Sequence, residues 1–243
     1  MTIFRLHMTI LAIDTSTDYL SLAIMKDGKI IGRFHRKCAM RHSSVLVPMI
    51  DRVLKKARSK IRDIDCFAVS AGPGSFTGLR IGVATVKGLA YALKKKIVAV
   101  PTLDAIAGNV KNFRGVICPV LDARKDKVYA CLYRSDGKNI KRISRYLLLP
   151  ADGLLNRLKK YDRVFLLGDA ADLIEKSIQE KRSFERSCSS RSQDQTLLRK
   201  VWEPRAEVIA ALGSEDCKKK KFVKPQDLEP MYLYSRECDI TGK

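Results

Sequence analysis

Two polar segments carry the residue types best suited to binding an anion. Residues 14–17 read Asp-Thr-Ser-Thr and follow a short apolar run, while residues 72–78 read Gly-Pro-Gly-Ser-Phe-Thr-Gly between a strand-like and a helix-like run. Hydroxyls and backbone amides at such turns can hold a phosphate, and a nearby carboxylate can hold its cation. The candidate nucleotide-binding residues are therefore Asp14, Thr15, Ser16, Gly72 and Gly74.

Both segments also fit a purely structural role. Asp, Thr and Gly are common turn formers. The glycine segment lacks the Gly-Lys-Ser/Thr ending of a P-loop and the spacing of the dinucleotide fingerprint. Ser75 is outside a G-x-S-x-G elbow and has no histidine nearby in sequence to act as its base. The residues alone leave an anion site and a structural turn open.

The sequence offers little for metal or nucleophilic chemistry. Its histidines, His7, His35 and His42, form neither HxxxH nor HExxH. Its seven cysteines are scattered and never in CxxC spacing, which argues against zinc and disulfides and favours a reducing cytoplasm. We predict no metal site and no catalytic residue. His42 is expected to be a surface residue or a ligand contact, and residues 122–127 a hairpin connection or a cleft lining.

The net charge of +21 over 243 residues requires an explanation. It favours a polyanionic partner, RNA above all, although a generally basic lineage explains it equally well. Local concentrations of Lys and Arg lie at 94–96, 181–200 and 218–221. The apolar runs are far shorter than the roughly 20 residues that a membrane span needs, so no membrane association is expected.

Hydrophobic periodicity predicts the elements that position these segments. In the first hundred residues the order is βββαβαβ, with strands at 10–13, 20–25, 29–34, 66–71 and 97–100 and helices at 43–57 and 79–93. In the rest of the chain the periodicity predicts helices at 105–110, 152–160, 171–181 and 205–212 and strands at 116–121, 128–133, 143–149 and 164–167. The fold class is therefore α/β, with two lobes built from a duplicated unit.

Three regions follow from this order. Residues 8–103 form a first lobe with the glycine loop, and residues 104–214 form a second lobe. The Ser- and Arg-rich stretch 182–200 within the second lobe is predicted to be a flexible insertion. Residues 215–243 are a basic run and an extended tail, since two prolines there disfavour a helix.

Several of these segments together resemble the TsaB family, formerly YeaZ. The most specific match is residues 70–82 (SAGPGSFTGLRIG). Weaker matches are residues 13–16 (IDTS), 42–48 (HSSVLVP), 122–125 (DARK) and 229–233 (EPMYL). The resemblance extends from about residue 8 to 233.

The resemblance implies a two-lobed actin-like ATPase (ribonuclease-H-like) fold of duplicated βββαβα units. It also implies a role in forming N6-threonylcarbamoyladenosine at the tRNA adenosine adjacent to the anticodon. In that family the partner TsaD carries the active site and binds metal through an HxxxH pair. Here His42 is followed by Ser-Ser-Val-Leu, without a second histidine. The departure is typical of a pseudo-enzyme subunit that acts as scaffold and activator.

The resemblance further implies partners. Similar proteins pair with TsaD through the two helices of the first lobe, a TsaE-like ATPase binds the pair, and a homodimer and tRNA contact within the complex are further expectations. The candidate interface residues are Val45, Met49, Ile81, Ala84 and Gly88, unless they pack inside the lobe. No cofactor of its own is expected beyond weak ATP or ADP binding with Mg²⁺.

Three other functions stay open from the sequence. An autonomous ATPase or phosphotransferase would use Asp14 and the two loops around a nucleotide. A metallopeptidase would need the HxxxH pair that this chain lacks. A plain RNA-binding module would bind tRNA alone with a steep salt dependence.

Overall fold

A computed structural model describes residues 8–38, 41–174, 195–199 (backbone only) and 202–233. The chain divides into two compact units. The first comprises Met1–Ala105 and Glu203–Met231, and the second comprises Ile106–Trp202 and Tyr232–Lys243. Among the described residues the helices are α1 (His42–Lys56), α2 (Phe76–Leu93), α3 (Thr102–Ala107), α4 (Ala151–Leu158) and α5 (Ala206–Lys218).

The first unit is built on a mixed five-stranded sheet of order β3-β2-β1-β4-β5. Its strands are β1 (Thr9–Asp14), β2 (Tyr19–Lys26), β3 (Lys29–Lys37), β4 (Cys66–Ser70) and β5 (Lys96–Val100). The β1–β2 and β2–β3 pairs are antiparallel, whereas β1, β4 and β5 run parallel. Asp27 and Gly28 both have positive φ, as a tight hairpin turn requires. The predicted order βββαβαβ is thus confirmed.

Both faces of this sheet are covered, so β1 is buried along its whole length. Leu11 and Ile13 lie in one core cluster with α1 and α2. The alternate residues Ile10 and Ala12 lie in a second cluster with α5. This is the period of two that a strand between two helical layers must show.

Helix α5 is longer than predicted and belongs to the first unit. The sequence analysis ended it at residue 212 and assigned it to the second lobe, and it made residues from 215 onward a separate tail. Ala206, Ile209 and Ala210 are instead buried in the core of the first unit. A Cβ on Gly213 would lie 2.8 Å from the Cβ of Ala68. Small residues on both sides bring this helix against the sheet.

The second unit has a seven-stranded sheet whose main path is β10-β7-β6-β11-β12, with β8 pairing β6 and β9. Its strands are β6 (Arg114–Asp122), β7 (Lys127–Ala130), β8 (Tyr133–Asp136), β9 (Ile140–Arg142), β10 (Leu147–Pro150), β11 (Arg163–Leu167) and β12 (Gln195–Arg199). The predicted strand at 128–133 is divided between β7 and β8, and of the one at 143–149 only residues 147–149 are in a strand, β10. Residues 171–174 are helical, and the rest of the helix predicted to 181 lies outside the described residues.

Strand β12 corrects the prediction of a flexible insertion for residues 195–199, the end of the stretch 182–200. It pairs in parallel with β11 over five residues. The edge of β11 otherwise presents unpaired backbone groups, which a parallel strand satisfies. Residues 182–194 and 200 lie outside the described part of the chain.

No helix in the described ranges is both long and apolar enough to span a membrane. The five cysteines among those residues are all buried free thiols.

Candidate functional site

The turn after β1 and the start of α2 form one contact in the first unit. The Thr15 hydroxyl donates a hydrogen bond to the carbonyl of Gly78 at 2.7 Å. The amide of Ser75 donates to the carbonyl of Ser16, also at 2.7 Å. Ser75 is the N-cap of α2, and its hydroxyl accepts from the Gly78 amide at 3.2 Å. The two polar segments singled out from sequence are therefore in direct contact.

Glycines make this contact close. A Cβ on Gly78 would lie 2.0 Å from the Thr15 carbonyl oxygen. On Gly82 it would lie 2.3 Å from the Thr15 hydroxyl, and on Gly74 it would lie 2.3 Å from the Ser16 carbonyl oxygen. The space that side chains would occupy is filled by the turn after β1. Gly74 and Gly78 are needed for close packing against backbone atoms of this turn, and Gly82 for close packing against the Thr15 side chain.

Asp14 is enclosed at the end of β1. Its carboxylate is fully buried and accepts hydrogen bonds from the Ser16 amide at 3.1 Å and the Ser16 hydroxyl at 3.0 Å. Burial raises the pKa of Asp14 to about 6, and the Ser70 and Ser16 hydroxyls oppose that shift. Ser70, which ends β4, begins the motif at 70–82 but was not among the candidate binding residues, because a serine at the end of an apolar run carries no chemical signal of its own.

As arranged, the five candidate nucleotide-binding residues do not fit a Mg²⁺-nucleotide. The Asp14 carboxylate has no exposure and its oxygens are bonded to Ser16. Gly74 and the turn at Ser16 pack against each other. The residues come together, but they contact one another, and nucleotide binding stays a prediction.

The C-terminal segment completes this site. The amide of Met231 donates to the Ala71 carbonyl at 2.6 Å, and the amide of Thr102 donates to the Gly72 carbonyl at 2.8 Å. Gly72 has a φ of 106°, and a Cβ there would lie 3.1 Å from the Met231 carbonyl oxygen. Leu228 anchors the segment in the core with 1% exposure. The family-like motifs at 70–82 and 229–233 thus form one structural site.

Helices α1 and α2 present an exposed strip of apolar and small residues. Of the candidate interface residues, Val45, Met49 and Ile81 are half-buried against the core. Ala84 and Gly88 are exposed, and a Cβ on Gly88 would meet nothing within 4 Å.

Two further large side chains are exposed. Tyr91 is 80% exposed and lies on the same side of α2 as Ala84 and Gly88, whereas Val47 is 60% exposed and lies on a different side of α1 from Val45 and Met49. The sequence analysis missed both, because periodicity separates a buried helix face from an exposed one but does not mark which exposed apolar residues matter.

His42 is not a surface residue. Its side chain is buried, and its Nε2 lies 3.3 Å from the carbonyl oxygen of Tyr19. The expectation of a surface position was wrong because the contact with β2 holds the first residue of α1 inward, and a ligand contact stays a prediction. Within the described ranges, no group of three or more His, Cys, Asp or Glu residues could hold a metal ion.

Residues 122–127 form the connection between the antiparallel strands β6 and β7. Arg124, Lys125 and Asp126 all have positive φ. The Asp122 carboxylate accepts from the Arg124 amide at 2.7 Å, and Asp169 accepts from the Asp122 amide at the same distance. Side-chain hydrogen bonds therefore hold this hairpin in an unusual backbone conformation.

Comparisons with known proteins find a family model described as TsaD and curated relatives named TsaB. The family model for "TsaD: tRNA N6-adenosine threonylcarbamoyltransferase" matches residues 32–197. The chain is 31% identical over 233 residues to the tRNA threonylcarbamoyladenosine biosynthesis protein TsaB of Bacillus subtilis, covering 96% of each chain. It is 36% identical over 135 residues to TsaB of Escherichia coli, covering 55% of this chain and 58% of the relative.

A solved structure shows the same fold. YeaZ from Pseudomonas aeruginosa superimposes with a TM-score of 0.74 at 24% identity, over 93% of this chain and 100% of the other. The predicted two-lobed actin-like ATPase fold is thereby confirmed.

Proposed function

Since the chain belongs to the TsaB family of tRNA threonylcarbamoyladenosine biosynthesis proteins, we propose that it is a non-catalytic subunit that binds and activates a TsaD-like catalytic partner. The observation that carries the proposal is the exposed strip on α1 and α2. Exposed contiguous apolar surface on a globular protein commonly marks a site of protein association. The product of the complex is the modified adenosine adjacent to the tRNA anticodon.

The composition of the strip suits a helix of the partner. Ala84 and Gly88 are four residues apart on α2, so they lie on the same side of the helix. Small residues there let a second helix approach to about 8 Å, the short end of helix–helix distances. The exposed ring of Tyr91 lies on the same side of α2 and can bury further apolar area against the partner.

A non-catalytic role is supported by the residues that catalysis would need. The position of the HxxxH motif holds one histidine, His42, which is buried and bonded to the backbone. The Asp14 carboxylate is likewise enclosed. We propose that the chain has no cofactor of its own and binds ATP or ADP with Mg²⁺ weakly at most. Stoichiometric binding and turnover of Mg-ATP by the isolated chain would favour the autonomous ATPase instead.

The test of the interface uses two alanine-to-arginine variants on opposite sides of the first unit. Ala84→Arg places a long cation on the strip of α2. Ala211→Arg is the matched control, because Ala211 is exposed on α5, which covers the other face of the sheet. We expect Ala84→Arg to abolish copurification with the TsaD-like partner and Ala211→Arg to retain it. Undiminished copurification of Ala84→Arg would remove the proposal.

Further members of the assembly are part of the same proposal. A TsaE-like ATPase binds the pair of this chain and its partner, and tRNA contacts this chain within the complex. In the absence of the catalytic partner, the strip supports a homodimer. Sedimentation of the isolated chain should then show a dimer that Ala84→Arg converts to a monomer.

A further inference from the structure

We propose that one edge of the first unit binds the phosphate backbone of RNA. The edge lies where β4 and β5 begin, opposite the end that holds the glycine loop. The basic edge is defined by eight lysines: Lys94, Lys95, Lys96, Lys218, Lys219, Lys220, Lys221 and Lys224. The inference rests on the proposed function only in naming the RNA, which is the tRNA substrate of the complex.

The fold brings together two lysine runs that are distant in sequence. The Sγ atoms of Cys217 and Cys66 are 3.3 Å apart, so the end of α5 lies at the start of β4. Cys66 is in register with Lys96 at the start of β5. The amide of Val223 donates to the carbonyl of Ile97 at 2.9 Å, which places the segment after α5 alongside β5. The runs at 94–96 and 218–221 therefore share one edge.

Most of this charge has no acidic partner. Lys218 pairs with Glu215 at 2.6 Å and Lys221 with Asp216 at 3.5 Å. Across the described ranges, none of the other six lysines of the basic edge forms an ion pair with an acidic side chain. All eight are exposed except Lys95, which is half-buried. Unpaired like charges held this close repel one another, and a polyanion relieves that repulsion.

The helix ends do not account for the cations. The C-terminus of a helix carries a partial negative charge of about half a unit, which nearby lysines offset. The ends of α2 and α5 together therefore balance roughly one of the eight lysine charges. Lys94 and Lys220 also adopt positive φ, at 52° and 57°, where glycine is the usual residue after a helix. After each of these helices, a lysine therefore stands where glycine would fit the backbone conformation better.

The surroundings favour RNA over an anionic membrane. Phe222 is 39% exposed, and the Nζ of Lys96 lies 5.5 Å from the centre of its ring. An exposed ring among lysines can stack on an unpaired base while the ammonium groups contact phosphates. A membrane-binding segment instead places its cations along one side of an amphipathic helix. Here the lysines lie on helix ends and a strand start.

The test compares two triple variants of the full chain that remove the same charge. Lys95→Gln, Lys219→Gln and Lys220→Gln alter the basic edge. Lys138→Gln, Lys141→Gln and Lys159→Gln alter exposed lysines of the second unit. Binding of unmodified tRNA is measured by fluorescence anisotropy from 50 to 200 mM salt. A parallel measurement uses vesicles of phosphatidylcholine with phosphatidylserine.

We expect the basic-edge triple to weaken tRNA binding about tenfold or more and to reduce the salt slope by about 2, since each lost phosphate contact removes roughly 0.7–0.9. The control triple should change affinity by less than about threefold. Equal losses in both triples, absence of tRNA binding by the wild-type chain, or preferential binding to the anionic vesicles would each overturn the inference.

The result is separable from the interface proposal. The basic-edge triple is expected to copurify with the TsaD-like partner as the wild-type chain does. Ala84→Arg is expected to bind tRNA with wild-type affinity. Failure of either proposal therefore leaves the other standing.

Discussion

The packing of α2 on the turn after β1 predicts opposite effects for one substitution at two positions of the same helix. Gly78→Ala places a methyl group 2.0 Å from the Thr15 carbonyl oxygen. That oxygen belongs to buried backbone, so α2 or the turn must move. Gly88→Ala is the matched control, because its methyl group meets nothing within 4 Å.

The magnitudes follow from these distances. Overpacking of a buried site costs about 1–3 kcal/mol. Moving the helix also weakens the 2.7 Å hydrogen bond from Thr15 to Gly78, which adds about 1 kcal/mol. We therefore expect Gly78→Ala to lower the free energy of unfolding by about 3 kcal/mol. Gly88→Ala should raise it by about 0.5–1 kcal/mol, because alanine loses less backbone entropy in a helix.

Thermal unfolding followed by circular dichroism measures both effects. For a chain of this size, about 3 kcal/mol corresponds to a fall in Tm of roughly 6–12 °C. Measuring Tm at two protein concentrations separates a change in the stability of the fold from a change in dimer dissociation, because Gly88 lies in the proposed interface. A Gly78→Ala chain as stable as the wild type would refute the assignment of the glycines to close packing.

Three further predictions concern the same unit. The pKa of Asp14 rises from 3.8 to about 6 on folding, so the native state binds the proton more tightly. Its contribution to stability is therefore complete below about pH 4 and is lost as pH rises through about 6. The free energy of unfolding measured in urea should therefore differ between wild type and Asp14→Asn by an amount that changes by up to about 3 kcal/mol over this pH range. A difference that does not vary with pH would contradict the raised pKa. Leu228→Ala should lower the free energy of unfolding by about 2–4 kcal/mol, because the Leu228 side chain is buried. Gln226→Ala is the control and should change Tm little, because Gln226 is exposed. Equal effects of the two substitutions would show that the tail is not anchored. The hydrogen bond with Cys217 and then burial raise the pKa of the Cys66 thiol. Mass spectrometry should therefore find Cys66 unalkylated by iodoacetamide at pH 8 until urea unfolds the chain, and rapid labelling of the native chain would count against its burial.

The fold of the first hundred residues could be predicted because its signals are local. The continuous apolar run of β1, the Asp27-Gly28 turn and the helical spacing of α1 each depend on a few neighbouring residues. The placement of α5 could not be predicted in this way. It depends on Gly213 meeting Ala68, a contact between residues far apart in sequence that leaves no periodic trace.

In the candidate site, too, local features could be predicted from the sequence, whereas contacts between distant residues could not. The sequence identified the turn at Asp14 and the glycine loop, but it did not reveal that they fill each other's space. The contact of Met231 with Ala71 is likewise a backbone hydrogen bond, which side-chain identity does not encode. His42 was misplaced because a single bond to the Tyr19 carbonyl decides its burial.

We propose that a catalytic partner requires this chain and that this chain is not itself the catalyst. The direct measurement is formation of N6-threonylcarbamoyladenosine on unmodified tRNA with the cognate TsaD, TsaE and adenylate-forming enzyme, with and without this chain. We predict modification only when the chain is present, and its loss with Ala84→Arg but not with Ala211→Arg. Full modification in the absence of the chain would contradict the account.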